Sequence, residues 1–186
     1  MILLVGLGNP TPGSKENRHN IGFKIIDAIN QKFSLSKQKP KFKGLLTTGN
    51  ILNKKVYAIK PLTFMNNSGV CIRELIEYFK IGVEDIIVFH DDLDIDFGKI
   101  KAKIGGSSAG HNGIASIDKF VGKDYSRVRI GIGKPDSKIS TSDYVLNNFN
   151  EEEKEHLDKI TENIIDSLSI LIDKKLDLFS STVNNK

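Results

Sequence analysis

The chain has 186 residues, 39% of them hydrophobic and 27% charged, and a mean hydropathy of -0.23, which suits one soluble domain and leaves no run of the ~20 apolar residues that a membrane span needs. Its one cysteine, Cys71, excludes an internal disulfide and a cysteine-based zinc site, and is expected as a small core residue. The net charge of +4 is uneven: residues 151–186 hold 5 Lys/Arg against 9 Asp/Glu, and residues 1–150 hold 22 against 14, so a basic body would meet a polyanionic partner.

Ile2 to Val5 form an apolar run that ends in Gly6-Leu7-Gly8-Asn9-Pro10, which reads as a buried strand followed by a tight loop. The start lacks basic residues and the run is too short for a signal segment, so a cytoplasmic protein is expected. Phe23, Ile26, Ile29 and Phe33 recur at helical spacing and predict a helix over about residues 20 to 33. Leu45 to Leu52 and Val56 to Lys60 read as two strands joined by a turn near Asn53. A loop over Pro61 to Gly69 follows, then a helix marked by Ile72, Leu75, Ile76 and Phe79. Ile86 to Phe89 is a continuous apolar strand of a sheet covered on both faces.

Lys99, Lys101 and Lys103 alternate with Ile100, Ala102 and Ile104, as in a half-exposed strand with one basic face. Gly105 to Gly113 is a Gly/Ser-rich loop, with a short helix near Ile114 to Phe120. Arg127 and Arg129 alternate with Val128, Ile130 and Ile132 in another strand. Leu157, Ile160, Ile164, Leu168, Leu171 and Ile172 define one last helix with an acidic outer face. Interleaved strands and helices predict an α/β fold over residues 1–186, a single domain with a mixed twisted β-sheet flanked by α-helices.

Several residue patterns invite chemistry. Gly6-Leu7-Gly8 follows a strand, but Thr11 stands where a dinucleotide fingerprint needs its third glycine, and Pro10 lacks an N–H for a phosphate. Gly106-Ser107-Ser108-Ala109-Gly110 fits G-x-S-x-G, which would make Ser108 a nucleophile with Asp136 or Asp143 and His156 downstream. The strand before it is basic and the helix after it starts late, unlike a nucleophile elbow. His19, His90, His111 and Asp91 have no regular metal-ligand spacing.

The loops after strands carry a more telling set, in Asn9, His19-Asn20, Asn66, His90-Asp91-Asp92 and His111-Asn112. Ligands of open α/β sheets bind at the carboxyl ends of strands. Asparagine carries both a donor and an acceptor and so can match a peptide group. A histidine oriented by an aspartate can deprotonate water.

With these residues the chain closely resembles the bacterial peptidyl-tRNA hydrolases. The matching stretches are Val5 to Pro10, Arg18 to Gly22, Lys60 to Gly69, His90 to Asp94, Gly110 to Gly113 and Arg127 to Gly133. The resemblance implies a monomeric ester hydrolase that uses no metal and no cofactor and acts on peptidyl-tRNA. By position it makes His19 the base and Asp91 its partner. It makes Asn9 the residue that separates N-blocked from free aminoacyl esters, with an amide N–H of the substrate as its expected donor. Asn66 and Asn112 would hold the substrate, one of them donating to the developing oxyanion, and Phe64 and Met65 would flank the bound end. Lys103 and Arg129 would clamp the tRNA 5′ phosphate. Ser14 takes the place of a family tyrosine in the tRNA-binding set, and Thr11 and Asn17 also depart from the family there. A serine esterase using Ser108 and a tRNA-binding protein without catalysis are the alternative readings.

Overall fold

A computed structural model describes residues 1–186. Along strand β1 (Ile2–Gly6) the side chains of Ile2 and Leu4 enter one apolar core and those of Leu3 and Val5 enter another. The strand is therefore buried on both faces, and the period of two is satisfied twice. It lies in a seven-stranded sheet of order β2-β3-β4-β1-β5-β7-β6. The strands in chain order are β2 (Lys39–Lys41), β3 (Gly44–Ile51), β4 (Lys54–Pro61), β5 (Ile86–Asp92), β6 (Ile100–Ile104) and β7 (Ser126–Gly131). β4, β1, β5 and β7 run parallel, and β3 and β6 are antiparallel to their neighbours. The sheet is thus mixed, as the interleaved pattern predicts.

Helix α1 (Ile21–Lys32) packs in the larger core with α5 (Glu151–Asp166), α6 (Leu168–Ile172) and α7 (Leu176–Asn184). Helices α2 (Ser68–Phe79) and α3 (Asn112–Val121) pack in the core on the other face. The short α4 (Thr141–Leu146) has no fully buried residue and packs Tyr144 and Val145 against the larger core. No helix is long and apolar enough to cross a membrane.

The glycines of the first two motifs bring α1 to the end of β1. A Cβ on Gly6 would stand 2.2 Å from the carbonyl oxygen of Gly22, and one on Gly22 would stand 2.4 Å from the nitrogen of Leu7. Without side chains the helix start rests directly on backbone. His19, one turn earlier, is thereby held against the carboxyl ends of β1 and β5.

Besides β2 and α4, which have no counterpart in the sequence reading, three elements differ from it. β5 continues through His90-Asp91-Asp92, where a loop is expected, because β7 pairs with it as far as Gly131. The expected last helix is interrupted at Ser167, which is 1% exposed and takes a non-helical role between α5 and α6. α7 has no counterpart in the sequence reading. It covers the outer edge of β6, where the Ser180 Oγ accepts from the Ala102 N–H and Asn184 bonds both backbone groups of Ile100. A free edge strand otherwise offers those groups to other chains.

Candidate active site

β1, β4 and β5 end at a cleft of about 890 Å³ lined by Asn9, His19, Phe64, Asp91, His111 and Asn112, among others. Met65 and Asn66 also line it. The structure therefore brings together seven of the sequence-derived site residues from five separate stretches of chain.

Asp91 is the centre of the site and is only 2% exposed. His19 Nδ1 lies 2.9 Å from its Oδ1 and 2.8 Å from its Oδ2. With Nδ1–H donating to the carboxylate, Nε2 keeps its lone pair, which is the tautomer a general base needs. Burial disfavours the His19 imidazolium, but the charge of Asp91 and its hydrogen bonds prevail, and the pKa stands above the ordinary histidine value. Burial likewise opposes ionisation of Asp91. The charges of His19 and His111 and their hydrogen bonds outweigh it and hold the carboxyl well below the usual carboxylate range.

His111, which the sequence reading places in the converging loops but gives no role, is a member of this network. Its Nε2 lies 2.9 Å from Asp91 Oδ1. It is also the N-cap of α3, and its Nδ1 accepts from the Ile114 N–H at 3.3 Å. A neutral ring with Nδ1 accepting must carry its proton on Nε2, so the helix start fixes His111 as a donor to Asp91. The sequence signal was a histidine immediately before a helix, a place where a capping residue is needed. His90 backs this pair, with its ring 5.0 Å from that of His111 and its Nδ1 donating to the Asp91 carbonyl at 2.8 Å. Burial, then the charge of His111, pushes its pKa down to about 3, so it is a neutral packing partner.

Asn9 is fixed from both ends. Its N–H donates to Asn20 Oδ1 and its carbonyl accepts from Asn20 Nδ2, each at 2.9 Å. Its own Oδ1 accepts from the Met65 N–H at 2.9 Å. Asn9 Oδ1 thus already has one backbone donor, whereas its NH₂ has no hydrogen-bond partner within the protein and lines the cleft as a donor. Phe64 makes this contact possible at a backbone cost. Its φ of 60° and ψ of 161° lie where side chains are strained by ~1–3 kcal/mol, as happens at ligand sites. Phe64 is 54% exposed at the cleft. Asn66 and Asn112 are exposed there too.

Ser14, Lys103 and Arg129 lie outside the cleft lining. Ser14 is buried and its hydroxyl meets that of Thr11 at 2.5 Å. Lys103 is opposite Arg127, and Arg129 is opposite Lys101, across the β6–β7 pair. Arg127 is committed to the fold, since it bonds Asp118 at 2.9 Å and the carbonyls of Gly106 and Ser107. Arg129 is less enclosed and donates its Nε to Asp92 Oδ2 at 2.7 Å. Burial and the charges of Arg129 and Arg127 lower the pKa of Lys103, so three cations converge beside the cleft.

Ser108 lines the cleft within the Gly/Ser loop, without the strand directly before it that a nucleophile elbow requires. His156 is elsewhere, packed on Phe97 with 5.5 Å between ring centres. No serine triad is assembled. Chain spacing gives no sign of metal ligation, yet the fold gathers ligating atoms of His19, Asp91 and His111 within 4.8 Å of one another. Each histidine nitrogen lies 2.8 to 2.9 Å from an Asp91 oxygen, a hydrogen-bond length shorter than the ~3.4 Å between ligands of a tetrahedral zinc with bonds of ~2.0–2.1 Å.

A buried histidine–aspartate pair with a free imidazole nitrogen, facing an asparagine-lined cleft on a mixed α/β sheet, is an arrangement suited to a hydrolase. The sequence profile of the family described as peptidyl-tRNA hydrolase matches residues 3–186. The peptidyl-tRNA hydrolase of Pelagibacter ubique is 78% identical over 186 residues and covers 100% of both chains. That of Ehrlichia canis is 45% identical, over 98% of this chain and 94% of its own. The crystal structure of peptidyl-tRNA hydrolase from Acinetobacter baumannii superposes with a TM-score of 0.92 at 34% identity, over 99% of this chain and 94% of that one. The chain belongs to the peptidyl-tRNA hydrolase family.

Proposed function

We propose that residues 1–186 act as one catalytic domain that hydrolyses the ester between a peptidyl or N-blocked aminoacyl group and the 3′ end of tRNA, with His19 as the general base. The observation that carries this reading is the His19–Asp91 hydrogen bond, 2.8 Å at its shorter oxygen, in a buried pair whose other imidazole nitrogen is uncommitted. Nε2 takes a proton from water as the oxygen attacks the ester carbonyl. Asp91 orients the ring and stabilises the imidazolium, and His111 holds Asp91 from its other side. Asn66 or Asn112 donates to the developing oxyanion, a contact that can be worth ~3 kcal/mol. The C–O bond then breaks, and the ribose oxygen leaves with a proton. A ribose hydroxyl is a better leaving group than an amine, so no covalent intermediate is needed.

Asn9 donates its NH₂ to the acyl carbonyl that an N-blocked substrate has and a free aminoacyl ester lacks. Phe64 and Met65 flank the bound end. Lys103 and Arg129 take the 5′ phosphate, since a guanidinium and an ammonium together suit a terminal phosphate. The protein works as a monomer in the cytoplasm and needs no metal.

The deciding experiment is incubation with an N-acetyl-aminoacyl-tRNA. Release of the N-acetyl amino acid is expected, undiminished after exhaustive EDTA treatment and insensitive to a fluorophosphonate probe. Binding without release would leave only a tRNA-binding protein. Activity lost to EDTA and restored by zinc would turn His19, Asp91 and His111 into ligands. Inactivation by the fluorophosphonate would revive Ser108.

A further inference from the structure

Asp92 is the one acidic residue that joins the cleft to the cationic cluster on β6 and β7. It follows Asp91 directly, so on the pleated strand its side chain leaves the opposite face. Its Oδ2 accepts from Arg129 Nε at 2.7 Å, its Oδ1 accepts from the Asp94 N–H at 2.8 Å, and its carbonyl accepts from the Ile132 N–H at 3.0 Å. Both carboxylate oxygens are thus engaged, the side chain is only 10% exposed, and that of Arg129 is 19% exposed. The arrangement binds Arg129 through Nε and leaves its two Nη groups unengaged by Asp92. A second cation, Lys103, is drawn in beside it, its ammonium lying over Gly106, where a Cβ would come within 2.5 Å of Nζ.

We propose that Asp92 is a positioning residue for tRNA binding: it holds the Arg129 guanidinium by its Nε edge, so that the Nη groups act with Lys103 on a terminal phosphate. The inference rests on the phosphate-clamp reading above and adds to it the residue that makes the clamp rigid. A guanidinium gains most from a phosphate when its fork is held in place beforehand, because less side-chain freedom is lost on binding. The loop beyond Asp92 is tied by the same carboxylate, which fixes the clamp relative to Asp91 one residue away. The groups facing this carboxylate are Arg129 and Lys103 from β7 and β6, and Arg127 is already taken by Asp118 on α3.

The test separates position from charge. Asn keeps an acceptor oxygen for Arg129 Nε but removes the negative charge, whereas Ala removes both. Asp92→Ala should raise KM for full-length peptidyl-tRNA about tenfold, the scale of one charge-assisted hydrogen bond, with kcat unchanged. A peptidyl ester of a trinucleotide 3′ end, which has no 5′ phosphate within reach, should be turned over as by the unaltered protein. Asp92→Asn should restore most of the loss, and Asp92→Ala should add nothing in an Arg129→Ala background. The proposal is overturned if Asp92→Ala slows both substrates equally, if it slows neither, if Asp92→Asn is as impaired as Asp92→Ala, or if the Asp92 and Arg129 losses add. If Arg129→Ala itself fails to distinguish the two substrates, the clamp reading falls. If Arg129→Ala distinguishes them and Asp92→Ala does not, only the role of Asp92 falls.

Discussion

Two neighbouring aspartates of β5 serve two different regions. Asp91 is 2% exposed and bonded to two imidazoles. Asp92 has a side chain 10% exposed and is bonded to a guanidinium that reaches toward solvent. Successive residues of a strand point to opposite faces, so one step along the chain separates the proposed site for proton transfer from the proposed site for phosphate. The partners differ for a physical reason. An imidazole can exchange a proton near neutral pH, and burial beside a carboxylate tunes it. A guanidinium keeps its charge and offers a planar fork, which suits binding and not proton transfer.

That contrast can be broken most sharply at His19. His19→Asn should lower kcat/KM about 10²–10⁴-fold on full-length peptidyl-tRNA and on the trinucleotide ester alike, while tRNA affinity persists. Turnover near that of the unaltered protein would remove His19 as the base.

Asp91→Asn should come next, at about a hundredfold, the scale of losing charge-assisted bonds. An amide has one oxygen for the two imidazoles that Asp91 serves. The pH profile sharpens the point. As the proposed base His19 must be neutral, and its pKa is raised above 6.5, so kcat/KM should climb through an acid limb lying above that pH. Losing the Asp91 charge removes the cause of the rise, and the limb should move to lower pH in Asp91→Asn. A limb that stays in place would mean that another group sets it.

The Lys103→Ala, Arg129→Ala double variant should act on the other side of the comparison. KM for full-length peptidyl-tRNA should rise about tenfold or more, and its salt dependence should flatten as phosphate contacts are lost. The trinucleotide ester should be unaffected. An equal loss on both substrates would place the defect in the cleft and merge the two regions.

The smallest effect is expected at Asn9. Asn9→Asp keeps an acceptor for the Met65 N–H but replaces the cleft-facing donor with a carboxylate oxygen, which favours an ammonium over a carbonyl. The ratio of rates on N-blocked and free aminoacyl esters should narrow by about fivefold to tenfold. An unchanged ratio would take discrimination away from Asn9.

The sequence by itself determined most elements of the fold and the polar residues at the centre of the cleft. The β1, β4 and β5 runs are apolar and short, α1 and α2 carry apolar residues at helical spacing, and the Asn, His and Asp residues cluster where strands end. These are local signals, and locality is what periodicity records. The tertiary structure alone decided how those residues are engaged. That Asn9 offers a donor depends on the Met65 N–H, 56 residues away. That Asp91 serves two histidines depends on His111 capping α3, and that Arg129 is held depends on Asp92 across a strand pair. The edge-covering α7 belongs to the same class, because packing against β6 set it. A side chain's type is written in the chain, but the direction of its hydrogen bonds is set by partners that meet only when strands pair and glycines let a helix rest on a sheet.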